Sequence, residues 1–506
     1  MRSPGVPAAR YFGSCLRAGR VAQHDKKEEG MRPSRGGGGR QRRGGATWLH
    51  RRSSRLGAGI CAVALGVTLA ACSSGTPSSS GSGTSSGSAY DAKITYWFWG
   101  ESDIPGITKW MQQRIALYEK LHPKVSINLV QQSNTTIISS FRLASQSKTG
   151  PDLDTQWATM PTLSPAFAGD VTPISSLVPA SQTSHWVNTN ENTYKGQIMA
   201  MPLYLIGIPL VWNKQLFRQA GLNPNVGPTT WAQFLADCKA LKAHGITPFG
   251  MGNKDGYFGA WMFGIYAKQE LDSLAQLTDG VSNVGTGQAT LVQKLTSMYT
   301  MLQGLIKAGY VNSNVASITL DQGFQLFPQK KAAMSFTTDG NVLAWAKTIG
   351  ESNIGVTRPP IWGSGSLANT YDTTQSSDEF ITSWSPVKKA DAAFLAWLHQ
   401  PSNMVALNKE TGAFPADNRF PVSDISDPLA KELYKLDTTG KSIWLENYIP
   451  PQIDSDADLP AGELVISGSG SPSAAAQIWV TQLREWRAQQ LTQYQQYKAW
   501  SATLGG

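Results

Sequence analysis

Apolar and polar positions alternate from Lys93 onward, and Ile94-Thr95-Tyr96-Trp97-Phe98-Trp99, rich in β-branched and aromatic residues, predicts a strand. Gly100-Glu101-Ser102-Asp103 breaks it. From Ile107 to Leu121 the period becomes helical, with Trp110, Ile115 and Tyr118 near one face. His122-Pro123 ends that helix, and Val125-Ser126-Ile127-Asn128-Leu129-Val130 alternates again as a second strand. Strand, helix and strand in this order imply a parallel sheet flanked by helices. Further helices are expected at Trp231–His244, Ala289–Ala308, Ala390–His399 and Ser473–Trp500, the last with Ser471 as N-cap and Pro472 in its first turn. No internal repeat and no transmembrane span is visible.

One apolar run belongs to a different kind of segment. Arg51, Arg52 and Arg55 precede Ile60–Leu69, and small residues lead to Leu69-Ala70-Ala71-Cys72. A basic flank, a short apolar core and small residues before a cut site make a secretory signal peptide. From Gly57 to Ala71 the stretch is too short to cross a hydrocarbon core, which needs about 20 residues. Leu-Ala-Ala-Cys resembles the bacterial lipobox, whose cysteine receives a diacylglycerol before the leader is removed; Cys72 is the expected lipid attachment. The Arg- and Gly-rich residues ahead of the basic flank point to a translation start nearer Met31. Arg51-Arg52 fits a twin-arginine signal poorly, so general export is expected. Ser73–Ser88, almost pure Ser, Gly and Thr, reads as a flexible tether. Its Gly83-Thr84-Ser85-Ser86-Gly87 matches the hydrolase nucleophile pattern by letter only, because that pattern needs a strand before it and a helix after it.

Removing the leader changes the charge reading. The whole chain carries 44 Lys+Arg and 35 Asp+Glu, a formal net charge of +9. Residues 1–71 hold 14 of the basic and 3 of the acidic residues, which leaves 30 and 32 and a net charge of −2. A nucleic-acid partner, which needs a basic surface, is not supported. Cys15 and Cys61 leave with the leader and Cys72 takes lipid, so Cys238 stands alone and no intramolecular disulfide is expected. A body of some 435 residues suggests two packed domains.

The order of segments resembles the extracellular sugar-binding proteins of ABC importers, solute-binding family 1, relatives of maltose-binding protein. Lys93–Trp99 with its helix and Pro123-Lys124-Val125 is similar to the family's opening strand, helix and strand. Gly150-Pro151-Asp152-Leu153 resembles its Gly-Pro-Asp turn, and Gly169-Asp170-Val171-Thr172-Pro173-Ile174 the segment after it. The most specific stretch runs from Gly196-Gln197-Ile198-Met199-Ala200-Met201-Pro202 through Leu210-Val211-Trp212-Asn213-Lys214 to Pro228-Thr229-Thr230-Trp231 and Gly245-Ile246-Thr247-Pro248-Phe249. Lys331-Ala332-Ala333-Met334, Lys388–Leu398 and Gly412-Ala413-Phe414-Pro415-Ala416 resemble later family segments.

The resemblance implies an α/β, two-lobe, periplasmic-binding-protein-like fold. Each lobe is a sheet flanked by helices, and the ligand cleft lies between lobes joined by a hinge. The expected division is 1–71 extension and signal peptide, 72–90 lipidated cysteine and linker, 91–205 with 380–435 as lobe 1, and 206–379 with 436–506 as lobe 2. The resemblance also implies a monomeric receptor on the outer face of the cell membrane. It would capture a sugar or oligosaccharide by lobe closure and hand it to permease subunits driven by a separate ATPase. The chain itself has no Walker motif, and no cofactor is expected.

A pyranose offers hydroxyls at its rim and C–H groups on its faces, so its site needs aromatic platforms and polar side chains. The chain after Cys72 keeps 16 of 17 tryptophans. Ligands of open α/β sheets bind beyond the carboxyl ends of strands, which selects Trp99, Glu101 and Asp103 after the first strand and Gln156 and Trp157 after the Pro151-Asp152 strand. For Glu101 and Asp103 the competing role is a cap of the Ile107 helix. After Pro248-Phe249-Gly250 come Asn253, Asp255, Tyr257 and Trp261, of which Tyr257 and Trp261 are the ligand candidates. Asp339, Trp345 and Trp384 complete the set, although Asp339-Gly340-Asn341-Val342 departs from the family's aromatic after glycine. Phe414 is a lesser candidate, and Trp212 reads as structural.

Two other functions compete. A peptide or other polar solute would suit the same scaffold, since fold alone does not fix function. A secreted glycoside hydrolase would need two carboxylates flanking the sugar, and among 32 acids some such pair is always present. Metal chemistry is poorly supported, because His122, His185, His244 and His399 are scattered singly and read as surface or turn residues. Cys238 reads as a small buried apolar residue.

Overall fold

In the computed structural model, residues 88–505 are described. The leader, Cys72 and most of the Ser/Gly tether lie outside them. Among the described residues twelve strands form three sheets: β1 Ala92–Phe98, β2 Val125–Gln131, β3 Leu153–Gln156, β4 Val171–Thr172, β5 Thr193–Tyr194, β6 Gln197–Ile198, β7 Met201–Gly207, β8 Leu210–Asn213, β9 Met334–Phe336, β10 Ile354–Thr357, β11 Thr373–Thr382 and β12 Phe414–Pro415.

The larger sheet has the order β12-β7-β11-β3-β1-β2, with β4 beside β11. β1 pairs parallel with β2 from Ala92↔Val125 to Phe98↔Gln131, and with β3 at Tyr96↔Leu153. The strand–helix–strand opening therefore forms as its periodicity predicts. Ala92, Ile94, Tyr96 and Phe98 point into the core, as strict alternation requires. The helix occupies Ile107–Leu121 and buries Trp110, Ile115 and Tyr118. The remainder of the sheet is antiparallel: β11 runs against β3, β4 and β7. Thr373–Glu379, expected in the second lobe, thus pair within the first-lobe sheet. A strand returning from the other lobe needs a free edge of this sheet, and β7, β3 and β4 supply it in turn along β11.

The smaller sheet has the order β10-β8-β9, both pairs antiparallel, and Phe249 extends it by bridging Met334. β7 ends in one sheet at Gly207 and β8 starts in the other at Leu210, so Ile208-Pro209 crosses between lobes. The chain returns between β10 and β11. Trp212 belongs to the second-lobe core: its Nε1 donates to the Pro224 carbonyl at 2.9 Å. A Cβ on Gly355 would fall 2.1 Å from its ring, so the sheet needs glycine there.

Helices Trp231–Ala243, Thr286–Lys307 and Lys388–Leu398 lie where the periodicity predicts them. Ser471 caps its helix through the Ala474 N–H at 3.1 Å, but Ser473–Trp500 is two helices, Pro472–Gln489 and Leu491–Ser501. The chain turns at Gln490, which brings Tyr494 and Tyr497 edge-on to Trp486, each 5.7 Å away. Cys238 is fully buried, and burial raises its thiol pKa, in keeping with an inert apolar role. His399 lies at a turn, one of its two expected places, but away from the surface. It is buried, its Nε2 lies 2.9 Å from the Pro202 carbonyl oxygen and its Nδ1 lies 3.1 Å from Asp417. Among the described residues no helix is long and apolar enough to cross a membrane.

Candidate functional site

The cleft between the two sheets is walled from both lobes. Asp103, Asn134, Ile138, Trp157, Pro161 and Ile206 come from the first-lobe side. Tyr257, Trp261, Thr338, Trp444, Glu446 and Asp454 face them. A polar extension continues from Asn134 and Tyr257 past Gln156, Ser139, Arg142, Gln452 and Gln490.

Each aromatic wall is a supported pair. Trp157 stacks on Trp99 with ring centroids 4.2 Å apart and 30° between planes. Trp99 lies behind it, fully buried, with Nε1 donating to the Thr155 carbonyl at 3.1 Å. Opposite, Trp261 and Trp444 meet edge-to-face at 5.8 Å and 83°. Aromatic pairs prefer these offset and T-shaped geometries, which hold the rings in place before a ligand arrives.

The second-lobe wall depends on irregular helix. Tyr257–Met262 continues into a π-helical turn at Phe263–Ala267, and a second π-turn, Asp454–Asp458, leads into Leu459–Ile466. These helices touch at Gly259 and Gly462, where a Cβ on Gly259 would fall 2.6 Å from the Gly462 Cα. π-turns occur often at functional sites because they re-aim side chains; here one directs Asp454 to the cleft.

Hydrogen bonds span the lobes beside the cleft. The Thr338 hydroxyl donates to the Asp103 carbonyl at 2.6 Å and the Asn341 amide to the Ser102 carbonyl at 2.9 Å. Arg142 donates to Gln452 at 2.7 Å, and the Tyr257 hydroxyl reaches the Asn134 carbonyl at 3.5 Å.

The electrostatics are one-signed. Asp103, Glu446 and Asp454 line the inner cleft, and among the described residues no Lys, Arg or His does. Burial, and then the neighbouring Asp454 charge, push the Glu446 carboxyl well above its usual range. Burial pushes Asp454 up to about 7. Glu446 Oε2 and Asp454 Oδ1 are both shielded from solvent and have no hydrogen-bond partner.

The structure thus gathers Asp103, Trp157, Tyr257 and Trp261 around the inner cleft, with Gln156 in the extension and Trp99 behind Trp157. Glu101 points elsewhere: its carboxylate accepts from the Gly106 and Thr108 N–H groups at 2.7 and 3.1 Å and caps the Ile107 helix. Trp345 is core, stacked on Phe327 at 5.1 Å. Trp384 packs on Phe141, donates to the Pro151 carbonyl at 3.1 Å and does not line the cleft. Asp339 is buried at the crossover, where it accepts from the Gly207 N–H at 2.6 Å. Of the neighbouring acids and amides, Asp255 accepts from the Leu320 N–H and Asn253 from the Gly259 N–H, both structural roles. Asn134 and Thr338 are cleft residues just past the ends of β2 and β9 that the sequence reading does not single out, whereas Trp444, Glu446 and Asp454 follow no strand and escape strand-end reasoning. For Trp444 and Glu446 the signal is local density: Ile443-Trp444-Leu445-Glu446-Asn447-Tyr448 packs aromatics, an acid and an amide ahead of Pro450-Pro451.

The model of the family described as bacterial extracellular solute-binding protein matches residues 102–404. The chain belongs to that family. This solute-binding protein shares its fold with solved two-lobe receptors. A chitin oligosaccharide binding protein superposes with a TM-score of 0.70 at 18% identity, over 78% of this chain and 98% of that one. The GacH receptor of Streptomyces glaucescens, solved unliganded and with acarbose, gives 0.62 at 17% identity, over 79% and 98%. A solute-binding protein from Thermotoga lettingae bound with α-D-tagatose gives 0.65 at 18%, over 78% and 99%. Among curated proteins, no significant sequence match to this solute-binding protein was found. The family and these neighbours are binding proteins rather than enzymes.

Proposed function

We propose that this solute-binding protein is the receptor of an ABC importer, lipid-anchored through Cys72 on the outer face of the cell membrane. It captures a sugar or oligosaccharide by lobe closure and delivers it to permease subunits powered by a separate ATPase. The observation that carries the sugar reading is the cleft itself. Trp157 on one lobe faces Trp261 and Trp444 on the other, with carboxylate and amide groups between them. Flat rings accept the C–H faces of a pyranose and the polar groups accept its hydroxyls. Structural neighbours whose names record chitin oligosaccharide, acarbose and tagatose as ligands support it.

The protein acts as a monomer without catalysis. Its chain passes between the lobes at Ile208-Pro209 and again between β10 and β11. The test is a titration of the mature chain with a panel of sugars, followed by Trp fluorescence and by chromatography of the ligand. Saturable change with unaltered sugar is expected. Cleaved product would replace the receptor by a hydrolase, and a response to peptides alone would move the ligand to another class.

A further inference from the structure

Among the described residues the inner cleft carries three carboxylates, Asp103, Glu446 and Asp454, and no basic side chain. Arg142, in the polar extension, is already bonded to Gln452. An ordinary sugar hydroxyl gives one proton to one acceptor, whereas an ammonium donates several and favours the charged form of Glu446 and Asp454, which burial alone disfavours. Buried carboxylates without a cationic partner are costly, and Glu446 Oε2 and Asp454 Oδ1 are both buried without a donor. A metal ion is a poor answer, because no group of three His, Cys, Asp or Glu among the described residues could hold one. The indole of Trp444 borders the same cavity as Glu446, with Trp157, Tyr257 and Trp261 around it. Aromatic faces attract a desolvated ammonium, and a primary ammonium has three N–H donors to share between the two orphaned oxygens.

We infer that the cleft selects an amino sugar: a saccharide whose protonated amine is held by Glu446 and Asp454 while its ring lies against the tryptophan faces. This rests on the sugar-receptor reading and narrows its ligand. The selectivity has a repulsive side as well. An N-acetylated amine has no charge to offer and brings a carbonyl oxygen toward carboxylate oxygens. An acidic sugar is rejected more strongly still.

The experiment uses matched sets that differ at one substituent. They are glucose, glucosamine and N-acetylglucosamine as monomers, and the same three residues as β-1,4-linked dimers and tetramers. Kanamycin serves as a polyamine of different linkage, with maltotriose and xylotetraose as neutral oligosaccharides. Affinities of the mature chain are measured by Trp fluorescence and calorimetry at fixed ionic strength. The amino member of at least one set, or kanamycin, should bind about tenfold or more tighter than every neutral sugar, the scale of one charge-assisted bond replacing a neutral one. Glu446→Gln and Asp454→Asn should each weaken the amine ligand about tenfold more than they weaken any neutral sugar, with both variants shown folded by their cooperative melting. Neutral sugars binding as tightly as amines, or both variants retaining full amine affinity, would overturn the inference and leave the sugar receptor standing. Silence toward every saccharide would overturn both.

Discussion

Replacing Asp437 by asparagine should change how stability depends on pH, because of what lies at the crossover between lobes. Asp339 and Asp437 are both buried there, on either side of Gly207, the last residue of β7. The Gly207 N–H donates to Asp339 Oδ2 at 2.6 Å and the Thr373 hydroxyl to Asp437 Oδ1 at 3.1 Å. A Cβ on Gly207 would fall 2.0 Å from Asp437 Oδ1, so the acid packs directly against the crossing backbone. Asp339 Oδ1 and Asp437 Oδ2 have no other donor, and the two carboxyls hydrogen-bond to each other. Two acids in this arrangement hold at least one proton between them. Burial pushes Asp339 up to about 7, while burial and the Asp339 charge push Asp437 well above its usual range.

Both folded-state pKa values exceed the unfolded value of about 3.9. Near pH 4 and below, both states are protonated and the pair carries no penalty. As pH rises the unfolded chain ionises first, so stability falls across the window from about 4 to about 7. Three units at about 1.36 kcal/mol each set a ceiling near 4 kcal/mol for Asp339, and relaxation of a real interior reduces this to roughly 2. An asparagine at 437 keeps its oxygen on Thr373, offers an N–H to Asp339 and removes the competing charge. Urea unfolding of wild type and Asp437→Asn at pH 4 and pH 8 measures the effect. The variant should lose about 2 kcal/mol less than wild type between the two pH values. Parallel losses would refute the shared proton, since the other buried acids are common to both proteins.

Trp157→Ala removes the exposed half of a stacked pair and should weaken sugar binding about tenfold or more at little cost in stability, measured by calorimetry and melting. Trp345→Ala empties a core position against Phe327 and should cost about 3–5 kcal/mol by urea unfolding, with ligand affinity of the folded fraction unchanged. Glu101→Ala removes a helix cap, so about 1 kcal/mol of stability should be lost and no affinity. Cys72→Ser should release the protein from the membrane fraction into the medium, read by fractionation and immunoblot.

The parts legible in sequence are those where a single local rule suffices. The Ile107 helix has a clean apolar face and a His-Pro stop, and its span emerges as Ile107–Leu121. The strand-end rule brought out Asp103 and Trp157, because a parallel strand that stops at a cleft must leave its next residues there. The same rule could not separate Glu101 from Asp103, two positions apart, since only three-dimensional reach decides which carboxylate meets the free N–H groups at Gly106 and Thr108. Trp345 looks like a platform by composition, yet the helix Asp339–Ile349 turns it onto Phe327. Trp444, Glu446 and Asp454 escaped because a short 3₁₀ turn and a π-turn present them, and neither has a hydrophobic period to read.

The contacts that join the lobes bear on how closure works. Thr338 to Asp103, Asn341 to Ser102, Arg142 to Gln452 and Tyr257 to Asn134 are all polar. Each replaces bonds to water, so its net worth is about 1 kcal/mol, and less for the exposed Arg142. Their sum is comparable to the cost of ordering the side chains that make them. These four hydrogen bonds therefore contribute little net stability to the closed form. The supported tryptophan pairs and the orphaned oxygens of Glu446 and Asp454 sit on surfaces that gain partners only when a ligand fills the space between them. A ligand that touches both lobes adds its differential binding energy to the balance between open and closed forms, and a change from 1:99 to 99:1 takes about 5.5 kcal/mol. Trp157 on one lobe and Trp444 on the other are accordingly the two positions where losing a ring should reduce closure and affinity together.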